Sequence, residues 1–94
     1  MNLSIGIKAL GEYIGTLILV YVIIVYKNPI IAGITLALII YCLSENKNLS
    51  GGHVNPCVTI GKRINSEINN FHTIIYILAQ IAGGITAIVI YKNI

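Results

Sequence analysis

The sequence predicts an all-α membrane protein: three transmembrane helices plus one re-entrant half-helix. Three observations lead there. Of 94 residues, 56% are hydrophobic and only 10% charged, with a mean hydropathy of +0.87, which makes lipid rather than water the expected solvent. Long apolar stretches occur three times. Between the second and third lies the run SGGHVNPCVTIG, Ser50 to Gly61, in which Asn55-Pro56 interrupts the membrane-like pattern. The length allows one domain, residues 1–94.

The first span runs over about residues 5–26, broken only by Lys8 and Glu12. A cleaved leader is the competing reading, but Glu12 interrupts its apolar part and no small-residue cleavage site follows. The segment is therefore expected to be retained. Asn28-Pro29 marks a turn, since proline disfavours helical geometry in the residue before it. The second span, about 30–44, has an uncharged stretch short of the ~20 residues usual for a crossing, so it must borrow from its flanks or be shielded. A polar loop with Glu45 and Lys47 follows.

The re-entrant element occupies about residues 50–64. Asn55 suits a helix N-cap and Pro56 the first helical position. Nine residues at ~1.5 Å each give ~14 Å, about half of a ~30 Å hydrocarbon core. Backbone of that kind at membrane depth must be buried in protein or line a cavity, so the feature points to a pore or a binding site. After a linker around 66–70, a third span covers about 70–91. Gly11 with Gly15, Ala32-Gly33 with Ala37, and Ala79 with Ala82-Gly83-Gly84 are places for close helix approach. Tyr26, Tyr41, Tyr76 and Tyr91 fall toward span ends, as interfacial aromatics do, although core packing would also place them there.

Several classes are excluded. No serine-histidine-acid set, paired carboxylates or phosphate-binding glycine loop is present, so no enzyme and no cofactor are expected. The net charge of +3 is dispersed, and the single basic pair Lys62-Arg63 suits a membrane surface better than nucleic acid. Cys42 and Cys57 form neither a disulfide framework nor a zinc spacing.

Three blocks in order carry a resemblance: Glu12-Tyr-Ile-Gly-Thr16, Ser50 to Gly61, and Tyr76-Ile-Leu-Ala-Gln-Ile-Ala-Gly-Gly84. Together they resemble the major intrinsic protein family, the aquaporins and glycerol facilitators, over essentially the whole chain. The middle block is similar to the family's first asparagine-proline-alanine loop, with Cys57 where the alanine usually stands. The family pattern has two such halves in inverted orientation, and this sequence matches the N-terminal one. The second asparagine-proline motif and the arginine after it are not in it. The resemblance thus implies half of an aquaporin-like inverted-repeat bundle.

It also implies roles. Asn55, Pro56 and Cys57 form the pore motif: the half-helix turns its positive dipole end and the Asn55 amide toward permeant oxygens. If Cys57 faces a lumen, a thiol reagent should reach it. Gly51 and Gly52 permit left-handed backbone before the cap. His53 is expected to tie down the loop; a metal-ligand role lacks a partner of matching spacing, so no metal is expected. Glu12 is costly in a membrane unless it faces protein, and supporting the loop with Gln80 is expected of it. A proton relay and a surface position near Lys8 are the competing roles. Ala32 stands at a candidate constriction that the family commonly fills with an aromatic or histidine side chain, which would widen it.

The function expected is a component of a channel for water or small neutral solutes, completed by a second half, either an antiparallel homodimer or a partner chain. The competing reading is a non-conducting truncated membrane protein that interacts with full-length channels. The protein is expected to be multi-pass in a lipid bilayer. Lys8, Lys47, Lys62 and Arg63 against Lys27 and Lys92 place the N-terminus in the cytoplasm by a margin small enough to admit dual topology.

Overall fold

A computed structural model describes residues 3–46 and 48–94. Lys47, counted above toward the cytoplasmic side, lies outside the described residues. Among the described residues four helices follow one another: α1 (Leu3–Tyr26), α2 (Pro29–Ser44), α3 (Pro56–Ile64) and α4 (Asn70–Lys92). The segments 5–26 and 70–92 are long and apolar enough to cross a membrane, whereas α2 is a shorter apolar helix of 16 residues.

Asparagine starts three of these helices. Asn28 Oδ1 accepts from Ile30 N (2.8 Å) and Ile31 N (3.2 Å), and Asn69 Oδ1 accepts from His72 N at 2.8 Å. Asn55 Oδ1 accepts from Cys57 N at 2.8 Å. Each cap satisfies donors that the first helical turn leaves unpaired, and Pro29 and Pro56 follow their caps directly. At the other end of α3, Lys62 and Arg63 complement the negative end of the helix dipole.

The central packing is α1 on α4. Gly83 makes it possible, because a Cβ there would lie against the Tyr13 carbonyl and 3.2 Å from Leu17 N. Tyr13 Oη and Thr86 Oγ1 join the same helices at 2.8 Å, and Ala87 is buried between them. α2 rests on α1 through Gly11 and Gly15, whose bare backbones accept Leu43 and Ile39. No residue of α2 is buried, and a Cβ at Gly33 would meet nothing within 4 Å among the described residues. The small residues Ala32, Gly33 and Ala37 are therefore not a close approach within this chain, unlike the other two sets. Tyr76 also departs from the interfacial pattern: it is buried, while Tyr26, Tyr41 and Tyr91 are exposed.

Polarity is inverted relative to a water-soluble domain. The buried set holds Glu12, Thr16, Ser50, Thr59 and Gln80 beside Val54, Tyr76 and Ala87. Isoleucines, leucines and valines along α1, α2 and α4 face outward. That distribution suits lipid as the surrounding solvent, where burying apolar side chains gives no driving force and internal hydrogen bonds with close backbone packing hold helices together.

Candidate functional site

The segment from Ser50 to Asn55 must turn sharply to bring its capped helix against α4. Gly51 and Gly52 do so with φ of +89° and +71°. A side chain at Gly52 would also meet Ile40 Cα at 2.8 Å, so glycine is required there twice over. Val54 has φ +45°, an uncommon conformation for a β-branched residue. Holding such a residue costs about 1–3 kcal/mol, which surrounding interactions must offset.

Glu12 supplies much of that offset. Its carboxylate is fully buried, with 0% exposure. Oε1 accepts from Val54 N at 2.7 Å and from Gln80 Nε2 at 2.7 Å, and Oε2 accepts from His53 N at 3.0 Å. Three donors from two separate parts of the chain thus converge on one buried acceptor. Gln80 donates its other amide hydrogen to Thr59 Oγ1 at 2.8 Å, and Thr59 Oγ1 lies 2.9 Å from His53 Nδ1. The His53 ring stacks at a tilt on Tyr76, with centroids 4.7 Å apart.

A second set of contacts holds the start of the loop. Tyr76 Oη donates to Ser50 O at 2.8 Å, Ser44 Oγ to Gly51 O at 2.9 Å, and Gly51 N to Leu43 O at 2.8 Å. Ser50 Oγ accepts from Gly52 N at 3.1 Å. The loop is anchored on α1, α2 and α4 together.

Glu12, His53 and Gln80 therefore meet in one network, with Gly51 and Gly52 shaping the backbone beside it. Asn55 and Cys57 are exposed, on the open side of α3. Ala32 is apart from both groups, in the first turn of α2, a helix that packs on α1 and on neither α3 nor α4. Sequence reasoning gave no site role to Thr59, Tyr76, Ser44 or Ser50. A signal existed for two of them: Thr59 is the one hydroxyl in α3, four residues past its cap, and Tyr76 precedes Gln80 by one helical turn.

An open cavity of about 440 Å³ adjoins the network, lined by Lys8, Asn46, His53, Lys62, Glu67 and His72 among others. At its rim, Asn65 Nδ2 donates to Glu67 Oε2 at 2.6 Å, and Lys62 Nζ donates to Glu67 Oε1 at 3.2 Å. The Asn65 hydrogen bond and then Lys62 hold the Glu67 carboxyl below its ordinary value. No group of three or more metal-ligating side chains exists among the described residues.

A chain that is apolar outside, polar within, and built on two membrane-length helices belongs to the α-helical membrane class. The family model described as "Major intrinsic protein" matches residues 7–94, and the chain belongs to the major intrinsic protein family. Among its relatives is "Glycerol uptake facilitator protein-like 6" of Lactiplantibacillus plantarum, 34% identical over 92% of this chain and 43% of that protein. "Probable aquaporin PIP2-7" of Oryza sativa subsp. japonica is 30% identical over 90% of this chain and 35% of its own length. "Aquaporin TIP1-1" of Arabidopsis thaliana is 44% identical over 53% of this chain and 20% of its own length. The chain thus spans less than half the length of these relatives. No solved structure matches it.

Proposed function

We propose that residues 1–94 form one half of a channel for the passive passage of water or small neutral solutes. In this reading α1, α2 and α4 cross the bilayer, and α3 enters it from the side of Lys8 and Lys62, the cytoplasmic one. Family membership supports the solute class. One observation carries the reading: the Asn55 cap. Its Oδ1 is engaged by Cys57 N at 2.8 Å, while its Nδ2 has no partner among the described residues and the side chain is exposed. The half-helix therefore presents a fixed amide donor and a positive dipole end on its open side, a pairing that receives a water or hydroxyl oxygen and repels cations.

That open side needs a cover, because an unpaired amide and a loop backbone are costly against lipid. A second half supplies it, either another copy in the opposite orientation or a partner chain, and brings two such caps toward each other at the midplane. Pro56 sets the cap and Cys57 stands next to the solute path. Glu12, Gly51, Gly52, His53 and Gln80 hold the loop in shape, and Ala32 leaves the constriction wide.

Osmotic swelling of proteoliposomes containing this chain alone tests the proposal. Fast swelling, lost in Asn55→Asp and blocked by a mercurial at Cys57, is the expected result for an antiparallel homodimer, with tags on one terminus found on both membrane faces. Swelling no faster than empty liposomes, with or without a candidate partner chain, would overturn conduction and favour the non-conducting reading.

A further inference from the structure

We infer that His53 is held as a single tautomer that presents an N–H donor, and no acceptor, to the cavity beside the loop. The argument follows hydrogens outward from Glu12. The Gln80 atom 2.7 Å from Glu12 Oε1 must be the amide nitrogen, because an amide oxygen there would face a second acceptor already engaged by Val54 N. That nitrogen has two hydrogens, and the second goes to Thr59 Oγ1 at 2.8 Å. Thr59 is fully buried, with 0% exposure, so its own hydroxyl hydrogen needs an acceptor inside the protein.

The usual acceptor for a helical threonine is the carbonyl four residues back. Thr35, Thr73 and Thr86 use it, at 2.7, 2.7 and 2.8 Å. Thr59 does not: among the described residues its hydroxyl pairs only with Gln80 Nε2 and His53 Nδ1. The Gln80 nitrogen is a donor, which leaves His53 Nδ1 as the acceptor, at 2.9 Å. A neutral imidazole that accepts at Nδ1 has its proton on Nε2. His53 lines the 440 Å³ cavity, and with Nδ1 turned to Thr59, Nε2 is the nitrogen left to face it.

The consequence is selectivity by donor character, and it rests on the proposed channel, with this cavity on the side of Lys8 and Lys62 taken as the entrance to its solute path. A fixed Nε2–H binds oxygen acceptors such as water, hydroxyls and carbonyls. It offers no lone pair to a hydronium ion, an ammonium ion or a metal cation arriving from the cavity. Lys8, which lines the same cavity, acts in the same direction, while Lys62 is paired there with Glu67 at 3.2 Å. Thr59 is thus a positioning residue and His53 a specificity-determining one.

Nitrogen NMR of the full chain in lipid bilayers, with ring-labelled histidine, reads the tautomer directly and does not depend on conduction. His53 is assigned by its absence from the His53→Gln spectrum. The expected result is a bare Nδ1, a protonated Nε2, and exchange between that Nε2–H and water. Thr59→Ser should keep this state, and Thr59→Val should give a mixture of the two tautomers. A protonated Nδ1 in the unmodified chain, or an Nε2–H shielded from water, would overturn the inference whether or not the variants fold. A bare Nδ1 in a chain that gives no swelling would leave the tautomer standing and count against the channel alone.

Discussion

Replacing Glu12 by glutamine keeps the shape of the side chain and removes half of its accepting capacity. In the native chain both carboxylate oxygens accept: Oε1 from Val54 N and Gln80 Nε2, and Oε2 from His53 N. A glutamine has one oxygen and one NH2 group. Its better orientation keeps the two bonds at Oε1 and sets a donor against the His53 amide. The alternative orientation loses two bonds instead of one. Leaving one buried N–H unpaired costs about 1–3 kcal/mol, and loss of the charge assistance in the two surviving bonds adds about 1 kcal/mol. The total is ~2–4 kcal/mol, concentrated on a loop whose Val54 already has a disfavoured φ of +45°. Amide hydrogen exchange in bilayers or micelles should report it locally. His53 and Val54 amides should exchange roughly 30- to 700-fold faster in Glu12→Gln, at ~1.4 kcal/mol per tenfold. Amides in the α1–α4 packing around Gly83 should change far less. Unchanged protection at His53 and Val54 would refute the claim that this carboxylate holds the loop.

Gly83→Ala should separate α1 from α4 and cost about 1–3 kcal/mol in thermal or denaturant unfolding. Gly84→Ala is its control and should be close to neutral, since its Cβ would meet only Val20 Cγ2, at 3.8 Å. Tyr76→Phe removes the donor to Ser50 O and should destabilise the loop by about 0.5–1.5 kcal/mol, read as faster exchange at Gly51 and Gly52. The Glu67 carboxyl should titrate below the ordinary carboxylate range by carbon NMR. Because its folded value is depressed, its contribution to stability is complete above the ordinary range and is lost as pH falls through the lowered value. Asn65→Ala should return much of that shift, and an unmoved Glu67 titration would remove Asn65 as its main cause.

How legible the architecture was depended on whether a feature is local. The helix boundaries were readable because Asn28-Pro29 and Asn55-Pro56 are start signals in sequence, and α2 and α3 begin at those prolines. The third cap, Asn69, was less visible in a linker rich in asparagine. Close approach through Gly11, Gly15 and Gly83 was legible as small residues at helical spacing, yet the same signal at Gly33 found no neighbour. Spacing tells which residues share a face, not whether another helix covers that face. Thr59 and Tyr76 were missed for a related reason. A hydroxyl in a short amphipathic helix and a tyrosine near the start of a span both have ordinary surface explanations. Only the packing of α3 on α4 turns them inward.

The distribution of satisfied groups separates what this chain can hold by itself from what it cannot. The buried carboxylate finds all its donors among His53, Val54 and Gln80, and the loop before the cap is fastened to α1, α2 and α4. Such a network fixes the loop by contacts made within the chain itself. Asn55 Nδ2 is on the other side of that boundary, outside the network and without a partner among the described residues, next to the exposed Cys57. If the proposed channel is right, shape and conduction should therefore fail separately. Changes at Glu12, Thr59 or Gln80 should loosen the loop in the isolated chain. A change such as Asn55→Ser, which keeps a capping oxygen and removes the amide donor, should leave loop exchange rates near native and act only on passage. Loop protection lost equally in Asn55→Ser and Glu12→Gln would show that cap and carboxylate are one structural unit, and that the outward amide has no separate role.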